Sequence, residues 1–240
     1  MRIYISMLFL ATALSSFSQE VFLEGGLTTS NFEFTNSNGQ ELENLNSVTK
    51  GYLSVGFSHE IFTEGLNVSV GASHNSYGSV GSDDVLGTFF EYDVDYLGIN
   101  LGFDYELFTF YDFTPFLKVN ASYEFLLQGT QRLNNQVFDL KGVEEFDDAG
   151  IFFRGGLGVS YPISEKSTIY VLYTYGQSLD LEDTSPNSNE KLKIYMNNIG
   201  IGFTLSLPPK TTTFLFYDHL IAHCCCADRR AELSSNHHKS

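Results

Sequence analysis

Leu97, Ile99, Leu101, Phe103, Tyr105 and Leu107 stand in one strict alternating row along residues 97–107, LGINLGFDYEL. Between them lie Gly98, Asn100, Gly102, Asp104 and Glu106. Alternate side chains of a strand point to opposite faces, so the stretch predicts a strand with one aliphatic and aromatic face and one small, polar face.

The same period of two recurs outward from this stretch. Eight segments carry it: Val21–Ser30, Gly51–Ile61, Gly65–Ser73, Tyr92–Leu107, Pro115–Gln128, Ile151–Tyr161, Ser167–Gln177 and Leu192–Leu207. Their connections alternate in length. Residues 62–64, 108–114 and 162–166 are short links, whereas 31–50, 74–91, 129–150 and 178–191 are long. A transmembrane barrel sorts its connections in this way, with tight turns at the periplasmic rim and long loops outside. The expected fold is therefore all-β, an eight-stranded antiparallel up-and-down transmembrane β-barrel.

The composition agrees. Among 240 residues, 42% are hydrophobic and 15% aromatic, too apolar a chain for disorder. Lys+Arg number 13 against Asp+Glu 29, a formal charge of -16, so the basic footprint of a nucleic-acid binder is missing. No apolar run beyond the N-terminus is long enough for a spanning helix. Residues 1–18, MRIYISMLFLATALSSFS, carry a basic start, an apolar centre and small residues at Ser16 and Ser18, the pattern of a cleaved export signal. The expected organisation is a signal peptide over 1–18, a barrel over 19–207 and a poorly ordered periplasmic extension over 208–240. That extension holds four of the six histidines and the run Cys224, Cys225 and Cys226. His219, His223 and three contiguous cysteines lack the spacing of a zinc site, so no metal or cofactor is expected.

Inside an eight-stranded barrel there is just room for side chains to fill the lumen. The small and polar row is therefore placed inward, and the aliphatic row against lipid. Six charged residues fall on the inward row: Glu24, Asp104, Glu106, Lys118, Glu124 and Arg154. Buried charges are costly unless paired, which predicts a lumen network of carboxylates with Lys118 and Arg154. Phe108, Phe110, Tyr111, Phe113 and Phe116 gather at the second short turn, with Phe62 and Tyr161 at the others. Tyr92, Tyr96, Tyr175 and Tyr195 lie towards the long loops. These are expected to form the two interfacial aromatic girdles. His74 and Ser76, with Asp83, Asp84 or Glu91 as an acid, are read as a solvated loop rather than a nucleophile and its base. Glu144, Glu145, Asp147, Asp148, Asp180, Glu182, Asp183 and Glu190 make the outer loops acidic and soluble. The apolar row moves from Tyr92, Val94 and Tyr96 to Leu97 and beyond in the fourth segment and loses its clarity around Met196–Ile199 in the eighth, as a β-bulge or the edge of the spanning part would produce.

Strand number, loop sorting and the last segment, NNIGIGFTLSL (197–207), resemble the small eight-stranded outer-membrane barrels of the OmpA-transmembrane-domain and OmpX-like kind. The last segment looks like the C-terminal signal read by the barrel assembly machinery, although it ends in Leu207 rather than Phe. The resemblance implies a bacterial outer-membrane location, with outer-membrane lipid, the barrel assembly machinery and an extracellular ligand or surface as partners. It implies a structural or surface-interaction role through acidic loops and a polar, side-chain-filled lumen, rather than an enzyme. A narrow pore for ions or small solutes is the second expectation and a membrane-embedded lipid-modifying enzyme the third.

Overall fold

The computed structural model describes residues 19–35, 45–61, 63–83, 88–134, 136–147, 149–182 and 191–207. The expected signal segment 1–18 and the extension 208–240 lie outside them, as do Phe62, Asp84, Asp148, Asp183 and Glu190 and the side chains of Asp83, Glu144, Glu145 and Glu182.

The elements are β1 (Gln19–Thr35), β2 (Leu45–Glu60), β3 (Leu66–Asp83), β4 (Thr88–Glu106), β5 (Thr114–Leu133), β6 (Gln136–Asp139), α1 (Glu144–Asp147), β7 (Gly150–Ser164), β8 (Ser167–Ser178), β9 (Leu181–Glu182) and β10 (Lys191–Leu207). Eight of them, β1–β5, β7, β8 and β10, pair antiparallel in chain order. The ring closes where β1 pairs β10, from Gln19 opposite Leu207 to Thr35 opposite Lys191. Closure removes every free edge from the wall, which a sheet in hydrocarbon requires. The short strands β6 and β9 pair with the long-loop ends of β5 and β10.

One rim carries the short links. Tyr111 and Asp112 both adopt positive φ, 47° and 66°, between Phe110 and Phe113, whose backbones exchange hydrogen bonds of 2.9 and 3.0 Å. This two-residue turn matches the right-handed twist of the strands it joins. Between β2 and β3, Gly65 takes φ 84° and donates its N–H to Glu60 Oε1 at 2.7 Å. Glu165 and Lys166 alone join β7 to β8.

The aliphatic row faces outward. Leu27, Leu53, Val70, Ile99, Leu117, Leu157, Val171 and Ile199 are all exposed, Ile199 by 67%. Along β4 this row runs from Leu97 to Tyr105, about 27 Å of strand and about 20 Å of barrel height at the usual tilt. That is close to the apolar band of a membrane barrel.

Two expectations about strand ends are corrected. The third segment does not stop at Ser73: β3 continues to Asp83, so His74, Asn75 and Ser76 are wall and not loop. β5 likewise runs to Leu133. The wall rises beyond the apolar band on these strands because the alternation persists with its polarity reversed. The apolar row does change phase in the fourth and eighth segments, and it does so at the edge of the spanning part, where the apolar side chains pass from the inward to the outward face. Burial alternates without a break through Tyr96–Leu97 of β4 and through Met196–Ile199 of β10. Register irregularities occur in the β4–β5 pairing at Asp95/Tyr96, where Leu127 is the extra residue of β5, in the β2–β3 pairing between Ser47 and Tyr52, and in the β7–β8 pairing between Pro162 and Ser164.

Candidate functional site

The inward row changes character halfway up the barrel. In β4 it reads Tyr92, Val94 and Tyr96 and then Gly98, Asn100, Gly102 and Asp104. In β10 it reads Leu192, Ile194 and Met196 and then Asn198, Gly200 and Gly202. The outward row changes in the opposite sense at the same level, from Glu91, Asp93 and Asp95 to Leu97, Ile99 and Leu101. Above the switch the molecule is apolar inside and polar outside, like a soluble barrel. Below it the polarity is that of a membrane barrel.

The long-loop half is filled by a core of Phe32, Tyr77, Tyr92, Val94, Tyr96, Leu126, Leu140, Phe146, Phe152, Leu181, Leu192, Ile194 and Met196. Tyr77 stacks on Phe152 with centroids 5.7 Å apart, and Tyr92 on Phe146 at 5.9 Å. Phe146 belongs to α1, which the Tyr96 hydroxyl ties down by donating to its carbonyl at 2.9 Å. Leu140 and Leu181 also come from the connecting segments, so the long-loop end is lidded from above. Each such side chain contributes about 1.5–3 kcal/mol through burial. The core also corrects the girdle assignment: Tyr92 and Tyr96 point inward, while Tyr175 remains exposed.

The short-turn half holds the charges, in two groups. Arg154 donates to Glu124 Oε1 at 2.6 Å, to Ser122 Oγ at 2.7 Å and to Tyr77 Oη at 2.5 Å. Glu124, with no exposed surface, also accepts from the Tyr77 hydroxyl at 2.8 Å and from Ser122 at 2.6 Å. Tyr77 therefore joins the ion pair to the aromatic core. In the second group Lys118 lies 3.1 Å from Asp104 and 4.0 Å from Glu24. Glu24 accepts the hydroxyls of Tyr52 at 3.1 Å and Tyr170 at 2.9 Å. Charge-assisted bonds of this kind offset the desolvation that a buried ion suffers.

Five of the six residues expected on the inward row, Glu24, Asp104, Lys118, Glu124 and Arg154, thus fall into these two groups. Glu106 does not. It ends β4 beside the short turn, is exposed, and shares the rim with Glu20, Glu60 and Glu64. Tyr77, Tyr52 and Tyr170, the hydroxyl partners of the network, were not singled out from the sequence. For Tyr52 and Tyr170 the signal was a glycine opposite the ring. A Cβ on Gly200 would lie 2.0 Å from Tyr52 Oη, and one on Gly202 2.1 Å from the Tyr170 ring. His74 is exposed on the outer wall, and the nearby Ser76 hydroxyl donates to Asp95 Oδ1 at 2.5 Å.

No family model and no curated protein matches the sequence. Among solved structures, Neisserial surface protein A is similar at 13% identity and a TM-score of 0.44, covering 78% of this chain and 97% of that one. OprG from Pseudomonas aeruginosa is similar at 15% and 0.44, covering 81% and 99%. The outer membrane protease OmpT from Escherichia coli is similar at 6% and 0.44, covering 79% and 97%. Scores of this size leave the chain's own geometry to carry the fold, and that geometry is complete: eight antiparallel strands in a closed ring, connections sorted by rim, and an outward apolar band. The chain has the fold of the small eight-stranded outer-membrane β-barrels.

Proposed function

We propose that the protein is a closed, non-conducting outer-membrane anchor that holds a rigid, water-facing platform above the membrane for surface interaction. The reading rests on one observation, the aromatic and aliphatic core that crosses the long-loop half of the lumen. A conducting barrel needs a continuous wet path, and among the described residues thirteen packed, mostly apolar side chains fill that level of the lumen. The wall above the membrane band carries paired charges, Lys50 with Asp93 at 2.7 Å, Arg132 with Glu91 at 2.9 Å and Lys193 with Asp180 at 3.5 Å. Specificity then belongs to the connecting segments, and the barrel supplies the frame. No catalytic role is assigned to Ser76, whose hydroxyl is engaged with Asp95 and not with His74. Planar-bilayer recording of the refolded protein tests the reading. It predicts an unchanged baseline over the usual voltage range. Reproducible conductance steps would replace the anchor with a pore.

A further inference from the structure

The outward apolar row does not have one height around the barrel. On β7 it runs from Ile151 through Phe153, Leu157 and Tyr161 to Ile163 without a polar residue, about 40 Å of strand and about 30 Å of height at the usual tilt. On β5 it runs from Leu117 to Leu127, about 25 Å of height. On β2 only Leu53, Val55 and Phe57 carry it, between Gly51 and His59, about 13 Å of strand and about 10 Å of height. The row spans about 15 Å of height on β1, from Val21 to Leu27, and the same on β3, from Leu66 to Ala72. Thr29 and His74 follow it there. In the ring of eight, β7 stands four places from β2, so a tall face and the shortest one lie diametrically opposite.

A hydrocarbon layer matched to β5 and β7 is too thick for β1, β2 and β3. Tilting the barrel does not resolve this. A tilt moves opposite faces in opposite directions and leaves the height of each as it was. The tall side is also fixed in level at its foot. Phe110 and Phe113 are exposed there, and the Phe113 ring lies 5.0 Å from that of Tyr161, an aromatic group of the kind that settles at the headgroup level. The mismatch therefore falls on whatever covers the short face. The polar edge above that face is satisfied within the wall. The Thr29 and Thr49 hydroxyls hydrogen-bond each other at 2.9 Å, and Ser76 donates to Asp95. A wall that faces headgroups and water is built in this way, with no side-chain group there waiting for a second chain. A band shorter than the hydrocarbon layer draws the layer thinner beside it.

We propose that the β1–β3 face thins the bilayer next to it and gathers the shorter-chained phospholipids of a mixed membrane, while the β5–β7 face takes lipid of full length. The barrel is then a body with two unlike flanks, and its lipid partner differs from one flank to the other.

The chain has no tryptophan, so one introduced at a chosen position is the sole fluorophore of its kind. Leu53→Trp reports on the short face and Phe153→Trp on the tall one. Each refolded full chain, checked by its gel shift between unheated and boiled samples, is placed in vesicles of mixed di-C14 and di-C18 phosphatidylcholine, with bromine on the chains of one lipid at a time. Quenching gives the relative affinity of each face for the two lipids. The expected result is a preference of about threefold for the di-C14 lipid at position 53 and none at position 153. Adding T29L/T49L, which lengthens the short row, should bring the value at position 53 to that at position 153. Equal preference at the two positions of the parent barrel would overturn the proposal. So would a position 53 that neither lipid quenches while position 153 stays quenched, because a second protein copy then covers the face. Bilayer conductance does not enter this test, so its failure and that of the anchor reading are distinguishable.

Discussion

The two halves of the lumen are built from the same eight strands on opposite rules. The long-loop half is closed by Tyr96, Phe152, Leu192, Ile194 and Met196, each without exposed surface. The short-turn half is held by two ion-pair groups and by glycines that seat aromatic rings. The difference follows from what lies outside the wall at each level. Where Leu97, Ile99 and Leu101 meet lipid, apolar surface is already satisfied outside, and the interior can be polar. Where Asp93 and Asp95 meet water, stability has to come from the inside, as in a soluble domain. One molecule thus uses hydrophobic burial above the membrane edge and paired polarity below it.

The largest effect that would sharpen this contrast comes from opening the dry half. Phe152→Ala should destabilise the refolded barrel by about 3–5 kcal/mol, read as a lower urea midpoint in lipid vesicles. A loss below about 1 kcal/mol would mean that the upper lumen tolerates water and that the halves are alike. In the polar half, Arg154→Met strands Glu124, whose side chain has no exposed surface. It should cost about 3 kcal/mol or more. Adding Glu124→Gln to it should recover most of that loss, whereas additive losses would deny that the two residues act as a pair.

A smaller effect separates inner from outer glycines. Gly200→Ala drives a methyl group into Tyr52 and should cost about 1–3 kcal/mol. Gly51→Ala meets no heavy atom closer than 3.8 Å and should fall within about 0.5 kcal/mol of the parent. Equal costs would remove the ring-seating role. The smallest effect is expected at the outer wall. Lys50→Ala breaks a part-exposed pair with Asp93 and should change stability by less than about 1 kcal/mol, less still at high salt.

Much of this was legible in the sequence, for a physical reason. The row at Leu97–Leu107 sees a uniform lipid environment, so its alternation states its face without ambiguity. Lys118 and Arg154 were legible as lumen residues because they share parity with Asn120, Ser122 and Gly156. The upper half was not legible. Tyr92, Val94 and Tyr96 keep the parity of Gly98 and Asn100, but their polarity is reversed. A reading that follows the apolar row alone meets a phase shift there and cannot tell a bulge from the edge of the spanning part. The same reading turned the tops of β3 and β5 into loop and placed Tyr92 and Tyr96 in an outer girdle. Tyr52, Tyr77 and Tyr170 escaped notice because their role depends on glycines and carboxylates of other strands, brought near only by closure of the ring. Glu106 has the right parity and the wrong height, and parity carries no information about height.

A scan along one strand tests the central claim most directly. Single spin labels at each position from Glu91 to Glu106, in a chain whose three cysteines are replaced by serine, would be read for accessibility to oxygen and to a water-soluble nickel complex in lipid vesicles. The account predicts an unbroken period of two. Positions 91, 93 and 95 should be open to nickel, positions 97 to 105 on the same face open to oxygen, and positions 92, 94 and 96 closed to both. A one-residue slip between 96 and 97, with Tyr96 open to lipid, would contradict it and return the long-loop half to a polar lumen.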